Sequence, residues 1–306
     1  MVLQATSILT SPLGHRGLGR TAKFLSRWIF PSDDSVEVIV HSRSHFVVAL
    51  SDPYWVLLLC PGYKYEPELA ATLPHFFAGE VAFLDCGANH GYWSLLAAEH
   101  IASPMRVLAV EASTTTHSIL CKHAVSNNGG FNPLHAALSD QAGTRLSFIT
   151  VKDNHAGAFV LGAKKLAHNR PASREEVDSV TLDSLVNRHL PEFSGSVVVK
   201  LDVEGNEIAA MQGAVHLLER DVLIIFEELG ADQGVRVWPW FLEHTDYDVY
   251  SFDTASSKFR LESASTLPEL KRQSSCTPNL FACRHGGHFA QKIADYGLGG
   301  DRACEG

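Results

Sequence analysis

From Val81 onward the chain alternates short apolar runs with amphipathic segments, a pattern that predicts repeated strand–helix–strand units. Val81-Ala82-Phe83-Leu84 reads as a strand, followed by a helix from Tyr92 to His100. Val107-Leu108-Ala109-Val110 is a second strand ending at Glu111, with its helix from Thr115 to Asn127, and Phe131 to Ala137 supplies a third strand. Val197 to Leu201 and Val222 to Phe226 are continuous apolar runs of the kind that parallel sheets bury on both faces. They end at Asp202 and at Glu227-Glu228, and a helix is expected between them from about Glu207 to Leu218. With Tyr247 to Phe252 and Asn279 to Cys283 added, the expectation is an α/β fold built on a doubly wound, mostly parallel sheet of about seven strands.

Before this region the pattern differs. Leu18, Ala22, Leu25 and Trp28 or Ile29 follow helical spacing and predict a helix packed on its own domain. Val36 to Val40 and Phe46 to Leu50 read as a hairpin, and Pro67 to Phe77 as a helix stopped by Gly79. Between Gly143 and Val180 the pattern loosens, which predicts an exposed insertion of the kind that forms a substrate loop or lid. The domain reading is therefore an N-terminal addition over residues 1–64, a cofactor-binding domain over 65–285 and a C-terminal tail over 286–306.

Composition narrows the function classes. Of 306 residues, 25 are Lys or Arg and 34 are Asp or Glu, a formal net charge of -9. Such a balance offers no general attraction to nucleic acid. No apolar run approaches the roughly 20 residues of a membrane-spanning helix. The segment from Met1 to Ser32 lacks acids and carries Arg16, Arg20, Lys23 and Arg27, a faint likeness to a transit peptide that the helical stripe counters. The 6 cysteines form no Cys-x-x-Cys pair, so they are read as reduced, in a cytoplasmic protein. Cys283-Arg284-His285-Gly286-Gly287-His288 fits no structural zinc spacing, and no metal is expected.

The candidate chemistry starts at Asp85, which ends a buried strand and opens the turn Cys86-Gly87-Ala88-Asn89-His90-Gly91. A glycine turn between a strand and a helix lets backbone N–H groups approach a ligand closely. Glu111 closes the next strand, where a carboxylate can accept both hydroxyl protons of a ribose. A dinucleotide site expects Gly-x-Gly-x-x-Gly, whereas here the first glycine follows an acid and a cysteine and the next lies four residues on. This favours S-adenosylmethionine over a nicotinamide cofactor. Asp85, Asp202, Glu204, Glu227 and Glu228 all fall at strand carboxyl ends, where they can stabilise the ammonium and sulfonium of such a donor.

Four blocks in this order resemble the FkbM-type methyltransferases: Tyr65-Glu66; Phe83 to Tyr92; Ala137-Leu138-Ser139-Asp140 with Gly143; and Lys200-Leu201-Asp202-Val203-Glu204-Gly205. Val180 to Leu185 is similar to that family as well. The resemblance covers roughly Pro61 to Leu229 and implies a Rossmann-like class I methyltransferase fold with S-adenosylmethionine as donor. It places the methionine part against Asp85, Gly87, Ala88, Asn89 and Gly91, the ribose on Glu111, the adenine by Leu138, Ser139 and Asp140, and Tyr65 and Glu66 near the cofactor. Cys86 and His90 depart from the aliphatic residues more common in the family, and Ala112-Ser113 lack its commoner proline.

The resemblance further implies O-methylation of a hydroxyl on a sugar or small natural product, an acceptor that is a small molecule. A hydroxyl must lose its proton as it is methylated, and the candidate bases are Asp202, Glu204 and His155. N-methylation of a small amine is the rival, since paired acids suit an amine equally well. A cofactor-binding protein of the same fold without catalysis is the reading from a different class. A nicotinamide-dependent oxidoreductase is disfavoured by the loop, and assembly into a homo-oligomer is left open.

Overall fold

Residues 34–151, 154–160, 172–228, 237–263 and 279–298 are described by the computed structural model. The helix expected from Leu18 to Ile29 lies outside them. The chain first forms a hairpin of β1 (Ser35–Val40) and β2 (Ser44–Ala49), then a 3-10 turn at Trp55–Leu59 and helix α1 (Pro67–Phe76). The strand–helix units follow: β3 (Val81–Cys86), α2 (Tyr92–His100), β4 (Val107–Glu111), α3 (Thr114–Ser126) and β5 (Asn132–His135). An insertion supplies β6 (Ala137–Leu138), β7 (Arg145–Val151), β8 (Asn154–Val160) and β9 (Ala172–Val180). Helix α4 (Leu182–His189) leads back to β10 (Ser196–Leu201), short helices α5 (Glu207–Gln212) and α6 (Val215–Glu219), and β11 (Val222–Glu227). Finally come α7 (Val237–His244), β12 (Tyr247–Asp253), β13 (Lys258–Leu261), β14 (Asn279–Arg284) and α8 (His288–Tyr296).

The central sheet runs in the order β13-β12-β14-β11-β10-β3-β4-β5. β11, β10, β3, β4 and β5 are parallel, while β14 joins β11 and β12 antiparallel and β13 closes the edge antiparallel to β12. The expectation of a mostly parallel sheet of about seven strands is thereby corrected to a mixed sheet of 8 strands. The missed strand, Lys-Phe-Arg-Leu, buries only Phe259, too weak a pattern to be read. The third parallel strand is also shorter than expected, because Ala137-Leu138 leaves it to pair with β9.

Alternation within the apolar strands divides the core in two. Phe83, Val107, Val198, Ile225 and Phe281 share one cluster with residues of α1, α2, α3, α8 and the hairpin, whereas Leu84, Leu108, Val199, Ile224 and Ala282 share another with residues of α4 to α7. Burial on both faces is what holds such strands in the middle of the layers. From β3 the chain winds outward to β4 and β5, and from β10 it winds the other way to β11, so the direction reverses between β3 and β10. In an open parallel sheet the ligand crevice lies outside the strand carboxyl ends at such a reversal.

The loosely patterned regions are structured too. The Gly143 to Val180 connection, as far as it is described, forms a four-stranded sheet with β6, in the order β6-β9-β7-β8. Its strands were hidden because exposed polar residues such as Arg174, Glu176 and Asp178 occupy much of β9. The expected tail contributes α8, which buries Phe289 and Ile293 in the core. The single helix expected from Glu207 to Leu218 divides into α5 and α6 around Gly213, where a Cβ would come within 2.4 Å of the Ser139 carbonyl oxygen.

The hairpin is tied to the domain by side chains. Glu99 of α2 accepts the backbone N–H groups of Ser42 and Arg43 and the Ser44 hydroxyl. Asn127 meets β2 as another strand would, accepting from the His45 N–H and donating to its carbonyl at 2.8 Å each. Buried His123 donates from Nδ1 to the His90 carbonyl at 2.7 Å and accepts the Val47 N–H on Nε2 at 2.9 Å. Only the neutral ring can make this pair of bonds. His123→Ala leaves both backbone groups without those partners. It is expected to lower unfolding free energy by about 1–3 kcal/mol in urea titrations, and a change under about 0.3 kcal/mol would show that the hairpin does not need this link.

Candidate active site

At the reversal between β3 and β10, strand pairing sets Lys200 directly beside Asp85. The two strand ends then close on each other. The Asp202 N–H donates to the Cys86 carbonyl at 3.0 Å, and a Cβ on Gly87 (φ 82°) would lie 1.9 Å from the Asp202 carbonyl oxygen. Only glycine fits there, both for its positive φ and for the contact.

The turn differs from the expectation in one chemical respect. The N–H groups of Gly87 and Ala88 both donate to the Val110 carbonyl at 2.9 Å, that of Asn89 to the Glu111 carboxylate at 3.0 Å, and that of Gly91 to the Ala88 carbonyl at 2.8 Å. These donors are committed inside the protein, because β4 ends alongside the turn and needs its carbonyl satisfied. The turn therefore brings no array of amides to an anion. Gly91 also faces away from ligand space, since a Cβ there would meet Leu120 and Phe131.

Above the turn lies a cleft of about 290 Å³. Its described lining carries six carboxylates, from Glu66, Asp85, Glu111, Asp202, Glu204 and Glu227, and one basic side chain, Lys200. Asp85 is buried and accepts the Ser94 hydroxyl at 2.6 Å. Glu111 accepts N–H groups from Asn89 and from Ser113, the latter at 2.8 Å. Glu66, at the N-terminus of α1 with φ 38°, is gripped by Trp93 Nε1 and by Asn279 Nδ2, the second at 3.3 Å. Lys200 Nζ lies 2.9 Å from Asp202 Oδ2.

Burial dominates the proton equilibria. Desolvation pushes Glu66 up to about 7 even with Lys200 and Trp93 pulling it down, and pushes Glu111 up to about 7 against its backbone donors. Asp85 is raised by the same cause and partly restored by Lys200. Lys200 itself is held well above its ordinary value: desolvation pulls it down, but the charges of Asp202, Glu66 and Asp85 together outweigh that.

The walls are of two kinds. On the β4–β5 side they are apolar, formed by Ala136, Ala137, Leu138 and Phe148. A second part of the lining is aromatic and packs against itself, in the offset and edge-on arrangements that ring quadrupoles favour. Trp55 stacks on Tyr92 with centroids 5.7 Å apart and planes 20° apart. Tyr65 stacks on Trp93 at 5.7 Å and 21°. The Tyr54 hydroxyl donates to that of Tyr65 at 2.9 Å.

Of the residues singled out from sequence, Tyr65, Glu66, Asp85, Gly87, Ala88, Asn89, Glu111, Leu138, Asp202 and Glu204 all line this cleft. Ser139 and Asp140 are not among the lining residues; Asp140 is exposed and accepts the Ser139 hydroxyl at 3.0 Å. Glu228 caps α7 by accepting the Val237 and Trp238 N–H groups. The backbone of His155 belongs to β8, and its side chain falls outside the described residues. Cys283 is buried in the core and His285 pairs with Asp248 at 2.7 Å. Sequence reasoning assigned no role to Trp55, Trp93, Phe148, Asn206 or Asn279, nor a separate one to Lys200. Lys200 had a visible signal: a lysine inside a strand buried on both faces must be paired.

The FkbM methyltransferase domain matches residues 85–252, more than half of the chain. The chain belongs to this family. Among solved structures it is similar to the crystal structure of a methyltransferase FkbM from Methylobacillus flagellatus KT, at 14% identity and a TM-score of 0.40. That similarity covers 66% of this chain and 43% of that one, so the chain spans less than half of the solved protein. No curated protein matches it. In this FkbM-domain chain no helix among the described residues is long and apolar enough to cross a membrane.

A raised carboxyl carries its own stability signature. Glu66 and Glu111, normally near 4.5, favour the ligand-free fold fully below that pH and lose this contribution as pH rises through about 7. A cationic ligand selects the ionised forms, so its affinity is expected to rise between pH 6 and 8 with release of protons. Calorimetry in buffers of different ionisation enthalpy measures both, and a flat profile or proton uptake would contradict this electrostatic reading.

Proposed function

We propose that the cleft binds S-adenosylmethionine and that the protein methylates a hydroxyl of a small acceptor such as a sugar or natural product. The observation that carries the donor assignment is the pairing of committed amides with converging carboxylates. Such a site suits a ligand bearing ammonium and sulfonium charges and offers a diphosphate neither N–H groups nor an uncommitted cation. Glu111 would take the ribose hydroxyls, Leu138 and Phe148 would cover the adenine, and Asp85 with the open face of Gly87 would receive the methionine end. When bound, the donor supplies an electrophilic methyl group for in-line transfer.

The chain's own residues would supply alignment and a proton acceptor. Positioning accounts for most of the rate in such a displacement, because the reacting atoms must be held about 3–3.5 Å apart and collinear with the leaving group. Asp202 is the best-placed base of the three candidates, since it ends the strand beside Gly87 and Lys200 orients its carboxylate. It would accept the proton of the acceptor hydroxyl as the new ether forms. An amine acceptor is the second reading, favoured by the excess of carboxylates over cations in the lining.

Asp85→Ala and Glu111→Ala are each expected to weaken donor binding at least about tenfold, roughly 1.4 kcal/mol or more. Unchanged affinity in a folded variant removes that residue from the donor site. For Asp202→Asn the expectation is retained donor binding with turnover reduced by about 10²-fold or more; full activity would eliminate it as the base. Turnover assays over hydroxyl and amine acceptors separate the two acceptor readings, and donor binding without turnover on either class would favour a non-catalytic binder.

A further inference from the structure

Lys200 sits at the centre of the acid cluster. Its side chain is 3% exposed, hydrogen-bonds to Asp202 at 2.9 Å, lies beside Asp85 across the β10–β3 pairing, and feels the charge of Glu66 from the N-terminus of α1. Among the described residues the Tyr54 phenol and the Cys86 thiol of β3 also feel its charge, both driven far up by burial and so neutral at working pH. Glu227, at the end of β11, lines the same cleft.

Three carboxyl groups gathered in one largely buried site do not all ionise when left to themselves; like charges at close range share protons. One buried cation among them changes the balance. A lysine with three ammonium protons can serve several acids at once, and here it faces Asp202, Asp85 and Glu66. With Lys200 in place the cluster can carry a net negative charge near neutral pH, and that charge is what separates a sulfonium from the thioether left after its methyl is lost.

Building on the proposed donor site, we infer that Lys200 is a positioning residue for the methyl donor. Its ammonium clamps Asp202 and offsets the repulsion that Asp202 exerts on Asp85 and Glu66, and so sets the pH range over which the cleft prefers the cationic donor to its neutral product. Lys200 acts through these acids and needs no contact with the acceptor. This role also accounts for a charged residue in a strand whose other buried residues are all apolar.

The test is the affinity of S-adenosylmethionine relative to S-adenosylhomocysteine, measured by calorimetry from pH 5.5 to 9. In the unaltered protein the preference for the donor is expected to grow with a midpoint near 7, where Glu66 titrates. Lys200→Met is expected to move this midpoint up by about one pH unit or more, and Lys200→Arg to return it toward the original. Lys200→Gln, which keeps a donor for Asp202 and removes the charge, is expected to move it as Lys200→Met does, and serves if Lys200→Met does not fold. A merely structural lysine gives a different result: both ligands lose affinity by the same factor at every pH, and the midpoint stays fixed in the uncharged variants. That outcome overturns the inference. Failure of the unaltered protein to bind either ligand overturns the donor assignment instead.

Discussion

The end of β3 touches the end of β10 with no room for a side chain between them. A Cβ on Gly87 would come within 1.9 Å of the Asp202 carbonyl oxygen. Backbone atoms cannot relieve such a clash without moving a strand, so only glycine is admitted. This contact lies where the sheet reverses its winding direction. It fixes the turn after β3, brings Asp85 and Lys200 side by side, and delivers Asp202 to the floor of the cleft. Much of the site's geometry follows from two strands being allowed to approach this closely.

The electrostatic character of the cleft follows from the same packing. Because β4 ends beside the turn, the Val110 carbonyl and the Glu111 carboxylate occupy amides that would otherwise face a ligand. What remains is acceptor chemistry: buried carboxylates, two of them raised to about 7, around one buried lysine. A glycine turn that looks in sequence like an anion cradle thus becomes, in the donor site we propose, part of a cation site. The 3-10 turn at Trp55–Leu59 adds Trp55 to the aromatic wall, its indole N–H donating to Asn89 in the glycine turn at 3.3 Å.

Much of this was legible in the sequence, and the reasons differ by element. The strands β3, β4, β10 and β11 announced themselves as apolar runs, and the acids at their ends as candidates, because parallel strands place their carboxyl ends on one edge. Asp85, Glu111 and Asp202 accordingly meet in the cleft, while Ser139 and Asp140, placed there by resemblance alone, are not in its lining. The antiparallel additions were harder. β13 buries one residue, and β9 presents Arg174, Glu176 and Asp178 to solvent, so neither carries the apolar signal that single-sequence reasoning depends on. The commitment of the turn's amides could not be read at all, since it depends on where β4 ends in space. Asn279 reaches Glu66 from the far end of the chain, and no local pattern encodes such a pairing.

The most direct test is a crystal structure of the protein with S-adenosylhomocysteine bound. We expect the ribose hydroxyls on Glu111, the adenine between Leu138 and Phe148, and the sulfur over the strand ends at Gly87 and Asp202. Density for the ligand elsewhere, or a ribose that leaves Glu111 bonded only to Asn89 and Ser113, would contradict the donor site described.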